Sequence, residues 1–149
     1  MNDVQILYDQ SVLIGKCSRE GLVSFPPFKA HYDVDYFRYG PDQSVLEQLR
    51  PLLAGLEVTI VLGTWCGDSL SEVPRFLKVL DLLEIPENDI TIIAVDQSKS
   101  IPEEIIEKFQ IEKVPTFIVS KSGLEQGRIV ETPIETFEKD LLYLLNNLL

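Results

Sequence analysis

Residues that build metal and hydrolytic sites are scarce in this chain. Its 149 residues hold two cysteines and one histidine. Cys17 and Cys66 are far apart in sequence, and their separation matches no zinc-ligand spacing. A Cys–His hydrolase site would have to use His31, and nothing near it in sequence supports one. No metal or other cofactor is therefore expected. In a reducing compartment a structural bridge between the two cysteines is not expected either. Basic residues are also few, 13 against 24 acidic ones, for a formal net charge of −11. That field repels phosphate backbones and anionic membranes, so neither nucleic acid nor a membrane surface is an expected partner. The acidity reads as a solvated surface that favours solubility. Met1–Gln5 carry no basic n-region and no long apolar run follows. Neither a secretory signal nor a transmembrane helix is expected, and the cytoplasm is the default compartment. No repeat, linker or low-complexity stretch is visible, and a monomer is expected.

With 45% hydrophobic residues the chain can bury a full core without disulfide or metal staples. Leu56–Leu62 is a short apolar, β-branched run and reads as a buried strand. Asp68 to Leu83 then carries apolar residues at helical spacing, with Pro74 expected to kink the helix rather than end it. Ile90–Val95 reads as a second buried strand, which completes a βαβ unit with parallel strands. Pro102 suits the first turn of a helix through Ile105, Ile106 and Phe109. Thr116–Ser120, the turn Lys121-Ser122-Gly123 and Gly127–Glu131 read as a hairpin. Pro133 is expected to open a last helix carrying Phe137, Leu141, Leu144, Leu145 and Leu148.

Earlier in the chain, Ser44 with Glu47 three residues on has the form of a capping box, ahead of Val45, Leu46, Leu49 and Leu52. Phe25, Phe28, Tyr32, Tyr36, Phe37 and Tyr39 crowd the segment before it. They read either as an arm packed over one sheet edge or as an aromatic rim beside a binding groove. The organisation expected is an extension over residues 1–43 packed on a domain over 44–149.

Between the first strand and its helix stands Trp65-Cys66-Gly67-Asp68-Ser69. This run resembles the Trp-Cys-Gly-Xaa-Cys signature of the thioredoxin-like family, with serine in place of the second cysteine. Pro74 falls at the family's helix kink, Val114-Pro115-Thr116 at its Ile/Val-Pro-Thr loop, and Lys121-Ser122-Gly123 at its hairpin turn. The resemblance covers residues 44–147, and looks like a bacterial thioredoxin-like subfamily rather than thioredoxin itself. It implies an α/β thioredoxin-like fold, a central mixed sheet flanked by helices, with the aromatic-rich extension in front. It also implies a cis bond before Pro115, which would leave the Val114 backbone free to pair with an extended substrate chain, and makes Trp65 a partly exposed groove wall.

The chemistry follows from what the motif keeps and loses. A dithiol reductase attacks a disulfide with one thiolate and resolves the mixed disulfide with a second. Cys66 fits the first role at a helix N-terminus, where free N–H groups and the helix dipole favour a thiolate. Ser69 cannot take the second role, though it could donate a hydrogen bond to Cys66. Asp68 reads two ways. As an acidic first-turn residue it stabilises its own helix. As a charge about 7 Å from the sulfur it opposes a thiolate by roughly 0.6–2.4 kcal/mol for effective dielectrics of 80 to 20. The helix terminus offsets this by about 0.3–1 kcal/mol, or about 2 when partly buried. Ile60 stands six residues before Cys66, where thioredoxins hold a buried aspartate, and cannot accept a proton. Val130 and Glu131 stand where the family usually has a groove-lining glycine, so the groove should be narrowed or reshaped. Cys17 reads as a small buried residue or, alternatively, as a remote resolving thiol. His31 reads as a surface residue.

Three functions compete. The first is a monothiol redox protein that exchanges disulfides through Cys66 with protein thiols or a low-molecular-weight thiol. Its site would be Cys66 and Ser69 with Trp65, Gly67, Asp68, Val114 and Pro115 around them. The second is a non-catalytic module that binds a partner peptide in the same groove, favoured by a deeply buried sulfur. The third, an iron–sulfur carrier, fits poorly, because the usual Cys-Gly-Phe-Ser motif lacks the tryptophan and Asp68.

Overall fold

Alternation along the central strand decides how the layers are built. A computed structural model describes residues 5–6 and 12–146. The expectations that rest on residues 1–4 and on Leu148 lie outside these. In β3 (Leu56–Leu62), Leu56, Val58, Ile60 and Leu62 face one side, and Val61 faces the other. The first set joins the large core. The second joins a smaller apolar cluster across the sheet.

β3 pairs in parallel with β4 (Ile90–Ala94) and antiparallel with β5 (Thr116–Lys121). β5 turns back into β6 (Leu124–Val130). On the other flank, β4 pairs antiparallel with β2 (Leu13–Cys17), which pairs with the two-residue β1 (Gln5–Ile6). The order is β1-β2-β4-β3-β5-β6. This is a mixed α/β sheet flanked by helices, a thioredoxin-like fold.

α4 (Gly67–Leu82) runs unbroken through Pro74, with Val73, Phe76, Leu77, Val79 and Leu80 buried. It shares the large core with α2 (Pro26–Arg38), α3 (Gln43–Leu49) and α6 (Phe137–Asn146). Phe76, Phe117 and Phe137 meet at its centre, with ring centroids 4.6 to 5.3 Å apart. α5 (Glu103–Phe109) contributes Ile106 and Phe109 to the smaller cluster on the opposite face. Among the described residues, no helix is long and apolar enough to cross a membrane.

The residues ahead of 44 pack on the core, but neither as an arm over a sheet edge nor as an aromatic rim. They supply β2 to the sheet, so the sheet edge is extended by strands and not covered by an arm. After a short helix, α1 (Arg19–Val23), the aromatic run folds as α2 against α4. Phe28 is fully buried, and Phe25, Tyr32, Tyr36 and Tyr39 pack on the large core. They do not rim the Cys66 groove, which lies with the other cluster. Polar tips complete the contact: Asp81 on α4 accepts from the Tyr36 hydroxyl and from both terminal nitrogens of Arg19. Lys78 donates to the Tyr36 carbonyl.

Two helix starts also move. Asp42 caps α3, accepting from the Ser44 and Val45 N–H groups, while Glu47 pairs with Arg50. Aspartate caps as well as serine does, and it comes first in the chain. α6 begins at Phe137 and not at Pro133. The Asp140 carboxylate accepts from the Ile134 and Glu135 N–H groups and Thr136 Oγ1 from Lys139, which holds residues 134–136 in a turn.

Buried Cys17 and half-buried Tyr36 and Tyr39 make stability sensitive to alkali. Burial pushes the Cys17 thiol from 9.0 up to about 11. Burial, and then a carboxylate neighbour, push Tyr36 (beside Asp81) and Tyr39 (beside Glu138) upward as well. Each raised group binds its proton more tightly when folded, so its contribution is fully present below the unfolded value and lost as pH rises through the folded one. The urea midpoint should therefore fall as pH rises from 9.0 to about 11. In Cys17→Ala that fall should be shallower, and Tyr36→Phe or Tyr39→Phe should flatten the part at higher pH. A wild-type midpoint that stays level across this window contradicts the assignment.

Candidate functional site

Four residues, Gly63-Thr64-Trp65-Cys66, join the end of β3 to the start of α4, and each is tied to its surroundings. The Gly63 N–H donates to Ser69 Oγ in the first turn of α4, at 3.1 Å. The Leu13 N–H of β2 donates to Thr64 Oγ1, also at 3.1 Å. Trp65 Nε1 donates to the Val95 carbonyl beyond β4, at 2.8 Å. The Cys66 N–H closes the turn on the Gly63 carbonyl. Its sulfur lies 3.6 Å from the carbonyl of Val114, just ahead of β5. The Val114–Pro115 peptide is cis.

Cys66 is the N-cap of α4 and is half-buried. The first helical bond runs from the Leu70 N–H to the Cys66 carbonyl. The N–H groups of Gly67, Asp68 and Ser69 have no acceptor within the helix, and no side chain caps them. A negative sulfur at this position can accept from them. In the neutral form the thiol proton has the Val114 carbonyl to go to. Trp65 and Cys66 pack with Val61, Val95, Ile111, Val114 and Ile118. Asp68 is exposed on the first turn, and Gly67 is open above it.

Ser69 differs from expectation. It is fully buried, its hydroxyl accepts from the Gly63 N–H, and it makes no hydrogen bond to Cys66. The reason is its place in the turn: the third helical residue points inward under the loop. The Val114 carbonyl faces the Cys66 thiol, and the Pro115 carbonyl accepts from the Glu131 N–H at 2.7 Å. Glu131 has φ 67, and the Thr132 N–H returns to the Val130 carbonyl, so the side chain branches from a tight turn next to Pro115. Ile60 is wholly buried in the large core.

Cys17 is buried in β2 opposite Ile92, with its thiol directed at the Gly15 carbonyl. β2 lies two strand spacings from β3, roughly 10 Å. That exceeds the reach of a disulfide, about 7 Å between Cα atoms, so Cys17 is not placed to resolve Cys66. Both cysteines are free. His31 is on the surface of α2, facing Asp35. Among the described residues no group of histidine, cysteine and carboxylate side chains is placed to hold a metal ion.

Sequence reasoning passed over Gly63, Thr64 and the Val95 carbonyl. Nothing in composition or period marks them, because their roles depend on strands brought together only by folding. Asp96 follows Val95. Burial opposes its charge, but the Ile101 N–H, the Ser98 hydroxyl and the Ser100 N–H and hydroxyl outweigh this and hold it below the usual carboxylate range. It fastens the loop beside Trp65.

No protein-family model and no curated protein matches the chain. Solved structures do resemble it. The crystal structure of a protein of unknown function from Pseudomonas aeruginosa has a TM-score of 0.54 at 16% identity, covering 87% of this chain and 98% of that one. An HIV epitope-scaffold has a TM-score of 0.56 at 16% identity, covering 87% and 89%. Both likenesses bear on the fold alone. Thioredoxin from Schistosoma mansoni has a TM-score of 0.42 at 28% identity, over 72% of this chain and 86% of that one.

Gly63 leaves no room for a side chain: a Cβ built on it would clash with the Trp65 indole ring. Gly63→Ala should therefore expel the chain's single tryptophan from its seat and cost about 1–3 kcal/mol, as overpacking does. A red-shifted tryptophan emission with a lower urea midpoint is the expected result. An unshifted emission spectrum contradicts the contact.

Proposed function

We propose that the chain is a monothiol thiol–disulfide exchange protein of the thioredoxin-like kind, acting through Cys66. The observation that carries this is the placement of Cys66. The half-buried Cys66 is the N-cap of a 16-residue helix with three uncapped N–H groups. A chemically idle thiol in a pure binding module has no need of that position, and Cys66 as a residue is not fully buried.

In the proposed cycle the Cys66 thiolate attacks one sulfur of a partner disulfide. A new S–S bond joins Cys66 to that sulfur, the partner's S–S bond breaks, and the departing thiolate takes up a proton. The N–H groups of Gly67, Asp68 and Ser69 stabilise the attacking thiolate. Trp65 and the Val114–Pro115 backbone wall the approach. Once the sulfur has lost its proton, the Val114 carbonyl is released toward the partner chain. Ser69 offers no second thiol and Cys17 is out of reach, so a thiol from outside must resolve the mixed disulfide. That thiol attacks the partner's sulfur and returns Cys66 as thiolate, with no net change in oxidation. The partners proposed are protein thiols and disulfides or a low-molecular-weight thiol, in the cytoplasm, with the protein acting as a monomer.

The test is trapping. Incubation with a peptide disulfide should give one stoichiometric adduct by mass spectrometry, at Cys66 and absent in Cys66→Ala. Turnover should rise in proportion to an added small thiol, because resolution is bimolecular. Insulin-type reductase turnover that is fast and independent of the small thiol would contradict the monothiol reading. An adduct-free wild type that still binds the peptide equally well as Cys66→Ala would favour a binding module instead.

A further inference from the structure

Of the bonds that hold the Gly63–Cys66 loop, the one made by Thr64 reaches furthest from the surrounding motif. Its partner is Leu13, 51 residues earlier, at the start of β2. The ladder between β2 and β4 runs over Gly15–Cys17 and Ala94–Ile92. Leu13 lies past the end of that ladder, level with the loop. Its N–H meets Thr64 Oγ1 where both residues are buried, at 1% and 2% exposure. A buried N–H that loses its acceptor is costly, so the pair cannot loosen without consequence.

Thr64 is two residues before Cys66, and the sulfur has no rigid bond of its own. The position of Cys66 depends on the loop backbone, through its N–H to the Gly63 carbonyl. Gly63 is held from α4 and Trp65 from the end of β4. Among the described residues, only Thr64 holds the loop from β2. We propose that Thr64 is a positioning residue for Cys66, and that through it β2 belongs to the reactive site rather than to a mere extension. The hydroxyl keeps the sulfur over the free N–H groups of α4 and beside the Val114 carbonyl. The inference rests on the reading that Cys66 exchanges disulfides.

The experiment measures the alkylation rate of Cys66 in the folded protein against pH, by mass spectrometry, across the thiol titration range. Wild type is compared with Thr64→Val, Thr64→Ser and Glu138→Gln. Glu138 is an equally buried polar residue, bonded to the Tyr39 hydroxyl and the Asp42 N–H, and serves as a control for lost stability. Thr64→Val should slow alkylation at neutral pH about 3- to 10-fold, the factor of one modest hydrogen bond, and displace the rate–pH curve upward. Thr64→Ser should restore it. Glu138→Gln should lower the urea midpoint and leave the curve in place. A Thr64→Val curve that overlays wild type, or an equal displacement by Glu138→Gln, overturns the proposal.

Wild type gives a second readout that needs no variant to fold. Blocking Cys66 should change the hydrogen-exchange rate of the Leu13 amide, since coupling between two sites is reciprocal. An unchanged Leu13 amide overturns the proposal too. A trapped mixed disulfide with no effect of Thr64→Val defeats the positioning role alone. Slowed alkylation in Thr64→Val, with no mixed disulfide ever trapped, defeats the exchange reading alone.

Discussion

The site depends on one short loop being held from several directions. Between β3 and α4 the chain must turn from the end of a strand into a helix within four residues. Each of these residues meets a different anchor. Ser69 holds Gly63, β2 holds Thr64, the end of β4 holds Trp65, and the lead into β5 faces Cys66. No single bond of this kind contributes much, about 1 kcal/mol net. Their joint effect is geometric. A cysteine whose backbone is fixed at the N-cap keeps its sulfur at the helix terminus without spending conformational entropy on each encounter with a partner.

Ser69 acts on the loop rather than on Cys66, as a strut. Its oxygen is buried and accepts from the loop's own backbone. A sulfur would accept that N–H less well, being the weaker acceptor. Serine therefore strengthens the loop, and it offers no second thiol beside Cys66. Ile60, wholly buried among apolar neighbours, has no proton to receive and needs none. The neighbourhood is consistent with a thiol that attacks but does not resolve.

Much of this was legible in the chain, and the gaps have physical reasons. The buried strands, the βαβ unit and α4 follow from apolar period and run length, which depend on neighbours in sequence. The hairpin turn follows from Lys121-Ser122-Gly123, where both Ser122 and Gly123 take positive φ. What the sequence hid is non-local. β2 is only five residues long, carries Gly15 and Lys16 within it, and gains its identity by pairing with β4. α2 lacks a helical apolar stripe. Its aromatics lie against α4 through a mixture of ring faces and hydroxyls, so its sequence looked like an arm. Cap choice failed at Ser44 because Asp42 caps the Ser44 and Val45 N–H groups and so starts the helix earlier, and at Pro133 because Asp140 folded the preceding turn back onto itself.

Restoring a cysteine at position 69 would not by itself recover dithiol chemistry. The new sulfur would sit in the buried place of Ser69 Oγ, beneath the Gly63 N–H. There desolvation raises the cost of its thiolate, and a thiol must ionise to resolve a mixed disulfide. The loop would lose a good acceptor at the same step, which loosens the turn that places Cys66. Resolution and positioning thus compete for one residue. In this chain Ser69 serves the loop, and under the proposed exchange the resolving thiol would arrive with the partner or after it.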